Sequence, residues 1–378
     1  MESEENLYLM KEEPDIFLNK SDLEKLLVHF YEIDGSDIYL MHRRRALAKV
    51  KGNNFYLTER DFSSDDMANI ANLLYRSENA ESMLLDIGRL DMAYDLKYEK
   101  EGKIKRVRFR VNITPTTYHG ERVYQITIRL INSNPKSVKE LGVEKEIVDN
   151  FSQSQGIVII TGPTGSGKST LMAANIKHIL ENPETSIKID EYSSPIEFIY
   201  DDLEWNRNFV SQTEIGPQIA HFYEGIEASL RRNPDIIVVG ESRDKETISS
   251  SINASQTGHG VVTTAHTSGV SNTISRMVNI FSKEERDQKQ RDLLESLRMV
   301  VSQRLIFGKD GGILPIKEWW IPTEEEVEKL YNVPQNDIAN EIRKIIKNKQ
   351  RTFYHDALRK YQKGLIDKKI LDYVKEKY

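Results

Sequence analysis

The chain of 378 residues contains no cysteine. That absence excludes disulfides, thiolate nucleophiles and Cys-ligated metals, and it fits a reducing, cytoplasmic setting. No apolar run approaches the roughly 20 residues a membrane-spanning helix needs. The acidic N-terminus (Glu2, Glu4, Glu5, Glu12, Glu13) lacks the basic-then-apolar order of a signal peptide. Positive charge is not in excess either: 53 Lys and Arg stand against 59 Asp and Glu, a net charge of −6. A chain built mainly to neutralise nucleic-acid phosphates is therefore not expected, and neither is direct nucleic-acid binding. Internal repeats and low-complexity segments are missing too. What remains is a globular composition, 38% hydrophobic and 30% charged, in a length that accommodates two domains.

Hydrophobic periodicity divides the chain. Residues 1–18 read as an acidic mobile tail. Ser21 with Glu24 gives a capping box ahead of Leu23, Leu26, Leu27 and Phe30 on one helical face. Short strands around 37–40 and 46–50, a helix over 65–75, a hairpin of 92–98 with 105–113, and a strand over 124–130 complete a mixed α+β domain over 19–131. A polar stretch with Pro135 marks a linker over 132–140. From 141 to 322 apolar strands alternate with helices, which indicates an α/β domain with a parallel sheet covered on both faces. In it, strands are expected at 156–161, 186–189, 236–239, 261–264 and 319–321, and helices after residue 168 and over 219–231, 245–257, 271–281 and 284–305. The region 323–378 is charged and helical.

One segment carries a specific chemistry. Gly162, Pro163, Thr164, Gly165, Ser166, Gly167, Lys168 and Ser169 spell G-x-x-x-x-G-K-[ST], followed by Thr170 and preceded by the apolar run Ile157–Ile160. The glycines let the loop curl so that backbone N–H groups face a polyphosphate. The helix that follows points its positive end at the same anion. Lys168 would reach the β- and γ-phosphates of ATP, and the Ser169 hydroxyl would bind Mg²⁺.

Other residues gain meaning from that loop. The strand Ile236–Val239 ends in Gly240-Glu241, where many P-loop ATPases have Asp-Glu. Glu241 then serves as the residue that polarises the attacking water, against the alternative of a surface carboxylate at a strand end. His259 precedes the strand 261–264 and His266 follows it. Ligands of parallel sheets gather at the C-terminal ends of strands, so His266 is placed to sense a γ-phosphate; His259 reads equally as a helix-adjacent histidine bonded to backbone. Glu197, in Pro195-Ile196-Glu197-Phe198, is either a group that positions metal or water or a solvated glutamate. Arg106, Arg108 and Arg110 alternate along one strand, with Arg122 and Arg129 nearby. Such a row is either a solvated strand face or a source of guanidinium for a phosphate.

Taken in order, these segments resemble the PilT/GspE-type secretion ATPases of type II secretion, type IV pili and type IV secretion. The shared segments are Gly35–Leu40, Arg108–Asn112, Gly120-Glu121-Arg122, the P-loop, Pro195–Phe198, Arg231–Asp235 leading into Val239–Asp244, and Thr257-Gly258-His259. Within the family, the phrases Ser194–Asp201 and Ile126–Arg129 look most like the type IVB secretion ATPases and their conjugation counterparts. The resemblance implies a PAS-like N-terminal domain, a RecA-like ATPase domain and a homohexamer, with ATP between the two domains. It implies Mg²⁺-dependent ATP hydrolysis that moves the domains, and association with an inner-membrane platform and other cytosolic ATPases, so that the protein is peripheral to the membrane through its partners. Arg110, Arg122 and Arg129 match the family's characteristic arginines, with Arg106 and Arg108 less secure. Glu241 matches the Walker B glutamate, Glu197 the acidic-box glutamate, and His259 and His266 the histidine box. The family usually has an acidic residue two positions before the proline of Pro-Ile-Glu, whereas Ser193-Ser194 stand here, with Asp190 and Glu191 just upstream. A pilus retraction motor, a nucleic-acid translocase on the same core, and a nucleotide-binding ring with negligible turnover remain the alternatives.

Overall fold

Alternating apolar and polar residues commit the first third of the chain to antiparallel pairing, and continuous apolar runs commit the middle to parallel pairing. The computed structural model describes residues 8–131 and 134–378. It divides into two compact units: one runs to Ser133 and includes Ser194–Glu197, the other comprises Asn134–Ser193 and Phe198–Tyr378.

The first unit is a six-stranded antiparallel sheet in the order β3-β2-β1-β6-β5-β4. Its strands are β1 (Gly35–Met41), β2 (Leu47–Val50), β3 (Asn53–Tyr56), β4 (Leu90–Lys100), β5 (Lys103–Tyr118) and β6 (Glu121–Ile131). Helices α1 (Lys20–Glu32), α2 (Ser64–Tyr75) and α3 (Ala80–Ile87) contribute to its core. Leu23, Leu26, Leu27 and Phe30 of α1 share that core with Ile38, Leu40, Phe109 and Ile128 of the strands. Gly35 is required at the start of β1, because a Cβ there would sit 2.1 Å from the Phe30 ring.

Two expectations are corrected here. Helix α1 is capped by Asn19 with Asp22 in the capping box, two residues ahead of Ser21 and Glu24. The expected mobile tail does not extend to residue 18: Met10 and Phe17 are buried, and the Phe17 N–H donates to Asp66 at 2.7 Å. Two apolar side chains and a buried carboxylate hold this stretch where composition alone suggested solvent. Residues 1–7 of that tail, and residues 132 and 133 of the linker, lie outside the described residues.

The second unit is a seven-stranded sheet in the order β13-β12-β7-β11-β10-β8-β9. Strands β7 (Gly156–Thr161), β8 (Lys188–Ser193), β9 (Phe209–Glu214), β10 (Ile236–Val239), β11 (Gly260–Ala265) and β12 (Leu297–Phe307) run parallel. Strand β13 (Ile313–Trp320) closes one edge antiparallel to β12. Alternate residues of β7 feed the two faces: Ile157 and Ile159 enter one core, Val158 and Ile160 the other. The first face is covered by α6 (Phe222–Ser229), α7 (Lys245–Gln256), α8 (Thr273–Val278), α9 (Lys283–Ser296), α10 (Glu324–Tyr331) and α11 (Gln335–Asn348). The second is covered by α4 (Lys145–Asp149) and α5 (Lys168–Leu180). Helices α12 (Phe353–Gln362) and α13 (Lys368–Lys377) pack on Ile306 and Ile316 through Phe353, Ala357, Leu371 and Val374.

The long helix expected over 284–305 is a helix only to Ser296; from Leu297 the chain is strand β12 beside β7. Val300 and Val301 are fully buried, and β-branched side chains fit a central strand better than a helix. Strand β8 also runs further than expected, through Asp190, Glu191 and Ser193, because each polar side chain there finds a partner.

Candidate functional site

Strand β7 is buried along its whole length and delivers the chain into the loop 162–167. Gly162, Gly165 and Gly167 have φ of +147°, +76° and +82°. Side chains rarely adopt these values, so the curl depends on glycine. Among the described residues nothing lies within 4 Å of a Cβ built on Gly165, so the loop is open at that point. Lys168 is mostly buried, and its Nζ donates to the carbonyls of Gly162 (3.0 Å) and Pro163 (3.2 Å). These bonds tether the ammonium over the mouth of the loop. Ser169 and Thr170 follow in the first turn of α5, whose N–H groups there have no intrahelical acceptor and face outward toward an anion. Ser166 is buried, and among the described residues its hydroxyl has no hydrogen-bond partner.

The second cluster lies at the C-terminal end of β10 and β11. The Glu241 carboxylate has His266 Nε2 3.4 Å from one oxygen and Arg243 3.9 Å from the other. The turn between them is locked: Ser242 N–H donates to Thr264 O, and Thr264 Oγ1 donates to Gly240 O. Burial lowers the His266 pKa, and the positive charge of Lys168 lowers it further, against the opposing pull of Glu241. The ring is therefore neutral near pH 7, and Lys168, Glu241 and His266 form one electrostatic neighbourhood.

Gly240, which stands where the commoner motif has aspartate, sits close against β8. A Cβ at Gly240 would lie 3.1 Å from Tyr192 O and 3.2 Å from Ser193 Oγ. The neighbouring β8 turns its two acids to opposite faces. Asp190 accepts from Ser211 and Ser229 and pairs with Arg232. Glu191 accepts from Ser193 Oγ at 2.9 Å and Gln212 at 2.9 Å. Ser193 thus engages the acid two residues upstream. Glu197 groups with the first unit, where its carboxylate is 4.0 Å from Arg110.

In the first unit, Arg106, Arg108 and Arg110 do share one sheet face. Arg106 and Arg108 both reach Asp95, at 3.2 and 2.9 Å, and Arg108 is buried there. Arg110 is directly opposite Arg129, which donates to Asp37 at 2.6 Å. Arg122 does not join them. It sits seven residues from Arg129 on β6, about 24 Å along the strand, and the alternation sends it to the other face. His259 is also apart from the second cluster. Its backbone precedes β11 at the end paired with Gly156, about 16 Å of strand from the end that carries His266.

Sequence reasoning missed Gln303. This buried residue of β12 donates both hydrogens of its side-chain amide to the P-loop, to Ser166 O at 2.8 Å and Gly167 O at 2.9 Å. Its backbone oxygen would be 2.5 Å from a Cβ on Gly162, and its amide nitrogen 2.8 Å from one on Gly167. Two of the loop's glycines are thereby explained by one neighbour. Also missed was a hydroxyl chain from Thr161 through Thr267 to Thr273, which ties β7 to the loop after His266. No local signal marks either feature.

The Type II/IV secretion system protein family matches residues 20–310. The ATPase DotB of Legionella pneumophila superposes with a TM-score of 0.87 at 34% identity, over 97% of this chain and 98% of that one. A structure of the pilus retraction motor PilT with bound ADP superposes with a TM-score of 0.74 at 27% identity, over 93% and 96%. The type IV pilus ATPase PilT of Pseudomonas aeruginosa is 35% identical over 249 residues, 64% of this chain and 69% of that protein. With a P-loop, a strand-end glutamate and a RecA-like sheet in place, the chain belongs to the Type II/IV secretion system protein family and is an ATPase.

Proposed function

We propose that the chain is a Mg²⁺-dependent ATPase that acts as a homohexamer and energises a type IV, IVB-like, secretion or conjugative transfer system. The observation that supports this reading is the superposition on Legionella pneumophila DotB across 97% of the chain, at 34% identity and a TM-score of 0.87, where Yersinia pseudotuberculosis DotB gives 0.75 and PilT 0.74. The similarity extends past residue 310, where the family match ends, into the helical region 323–378. Among the described residues no helix is long and apolar enough to cross a membrane. A cytoplasmic ring held at the inner membrane by a platform protein and partner ATPases fits that property.

Each catalytic step falls to a residue of the cluster. The loop amides and the start of α5 bind the phosphates, and Lys168 exchanges its two carbonyl partners for β- and γ-oxygens. Glu241 orients the attacking water and takes its proton, while neutral His266 fixes the carboxylate. Arg110 and Arg129 from one face of the first unit's sheet, and Arg122 separately from the other, are the proposed sources of further positive charge for the phosphates. Among the described residues no group of three or more His, Asp or Glu is suited to a metal. Mg²⁺ fits nonetheless, since it is characteristically held by phosphate oxygens, waters and few protein groups, here the Ser169 hydroxyl. When bound, it neutralises charge on the β- and γ-phosphates.

Light scattering with Mg²⁺ and a non-hydrolysable ATP analogue tests the ring: a sixfold mass supports it, and a monomer with full turnover contradicts it. In cells, Lys168→Ala should abolish substrate transfer. Loss of pilus retraction with transfer intact would favour the retraction-motor reading, which similarity to PilT keeps open. Strong stimulation of turnover by DNA would favour a translocase.

A further inference from the structure

A cavity of about 840 Å³ in the second unit reaches the P-loop at Pro163 and is walled by Glu241, Arg243, His266, Arg276 and Arg304. We propose that this cavity binds inorganic phosphate and receives the phosphate cleaved from ATP before it leaves the protein. The inference rests on the hydrolytic role given above to Glu241.

Three observations on the cavity converge. The first is charge. Three arginines line the cavity against one carboxylate, and His266 is neutral, so the walls favour an anion. Arg243 is the one that approaches Glu241, at 3.9 Å. Arg276, on α8, makes no ion pair and no side-chain hydrogen bond among the described residues, and its charge helps to keep His266 neutral. Arg304, on β12, also lines this space; its guanidinium donates to Ser268 O at 3.4 Å and lies 4.5 Å from the centre of the Tyr378 ring. The second is donor supply. Ser275 also lines the cavity, and among the described residues its hydroxyl has no partner. A planar guanidinium matches two oxygens of a phosphate, and a hydroxyl can take a third.

The third is direction. In hydrolysis the water oxygen bonds to the γ-phosphorus, the bond to the β–γ bridging oxygen breaks, and ADP departs with that electron pair. The water's proton passes to Glu241. An in-line displacement carries the phosphoryl group toward the attacking water. Glu241 and His266 stand on that side, and both form the wall of the cavity. Phosphate moving away from ADP thus enters a space already lined with cations, while ADP stays on the P-loop.

The test is calorimetric titration of inorganic phosphate into the full chain loaded with Mg²⁺ and ADP. Wild-type protein should bind phosphate. Arg276→Ala should weaken that binding at least about tenfold while ADP affinity changes less than about twofold, and Arg276→Lys should recover part of the loss. Quench-flow with a fluorescent phosphate sensor then separates cleaved from bulk phosphate: in Arg276→Ala the ratio of release rate to cleavage rate should rise several-fold. If ADP binds and phosphate affinity is the same in wild type and Arg276→Ala, the cavity inference is overturned and the nucleotide site stands. If phosphate affinity falls but the release ratio is unchanged, the cavity takes free phosphate only, and its role as product exit is overturned. If ADP does not bind, the nucleotide reading itself fails and takes the cavity with it.

Discussion

Replacing Gln303 by alanine removes both hydrogen bonds that hold the back of the P-loop against β12. A typical intramolecular hydrogen bond contributes about 1 kcal/mol net, and a buried acceptor left unpaired costs about 1–3 kcal/mol. Gly167 O keeps a second donor, the Leu171 N–H at 2.9 Å, so only Ser166 O is orphaned. The sum is about 2–4 kcal/mol, and it falls on the one segment that must stay curled for phosphate binding. Gln303→Ala should therefore weaken ADP binding at least about tenfold, beyond any loss of global stability. Gln303→Glu should be worse, because a carboxylate replaces the donor and faces two carbonyl oxygens. Calorimetric ADP affinity measured beside urea denaturation separates the two effects. A variant that is destabilised yet binds ADP like the native chain would refute the positioning role.

The remaining predictions concern pH and the first unit. Glu318 is buried on β13, where it accepts the Val270 N–H at 2.7 Å, and burial pushes its carboxyl up to about 7 from an ordinary 4.5. The folded state then holds the proton more tightly than the unfolded one, so its contribution is complete below about pH 4.5 and falls as pH rises to about 7, by about 3 kcal/mol. Glu318→Gln should flatten that part of the stability–pH curve in denaturant titrations, and an unchanged slope would contradict the assignment. Asp66 accepts from Arg60, Ser63 and the Phe17 N–H; burial opposes ionisation, but these bonds outweigh it and hold the carboxyl below its usual range. Its contribution is present above the ordinary value of 3.8 and is lost as pH falls through the depressed folded value. Asp66→Asn should cost about 3 kcal/mol at pH 7 by urea denaturation, with the gap from wild type closing in strong acid.

The parts legible in the sequence were those encoded by local spacing. Gly162–Ser169 and Glu241 could be named because strand, glycine turn and helix follow one another within a few residues. Arg106, Arg108 and Arg110 were assigned to one face by alternation alone, and the strand register agrees. Arg122 was grouped with them because nearness in the chain does not reveal that β6 carries it to the opposite face. Gln303 was invisible because it meets the loop across 137 residues of sequence. Strand β12 was mistaken for the end of a helix because a short buried run such as Met299–Val301 suits either, and only its place beside β7 decides. The early packing of Met10 and Phe17 was hidden for a related reason: their partners, Leu57 O and Asp66, lie more than forty residues away.

In the proposed reaction the P-loop and Glu241 together hydrolyse ATP. Single-turnover hydrolysis in Glu241→Gln, measured beside nucleotide affinity, tests it most directly. Glutamine keeps the shape and can still be held by His266, but it cannot take the proton of the attacking water. The expected result is ATP affinity within about threefold of the native chain and cleavage slowed by about 10²-fold or more. Cleavage at the native rate by Glu241→Gln would contradict the account.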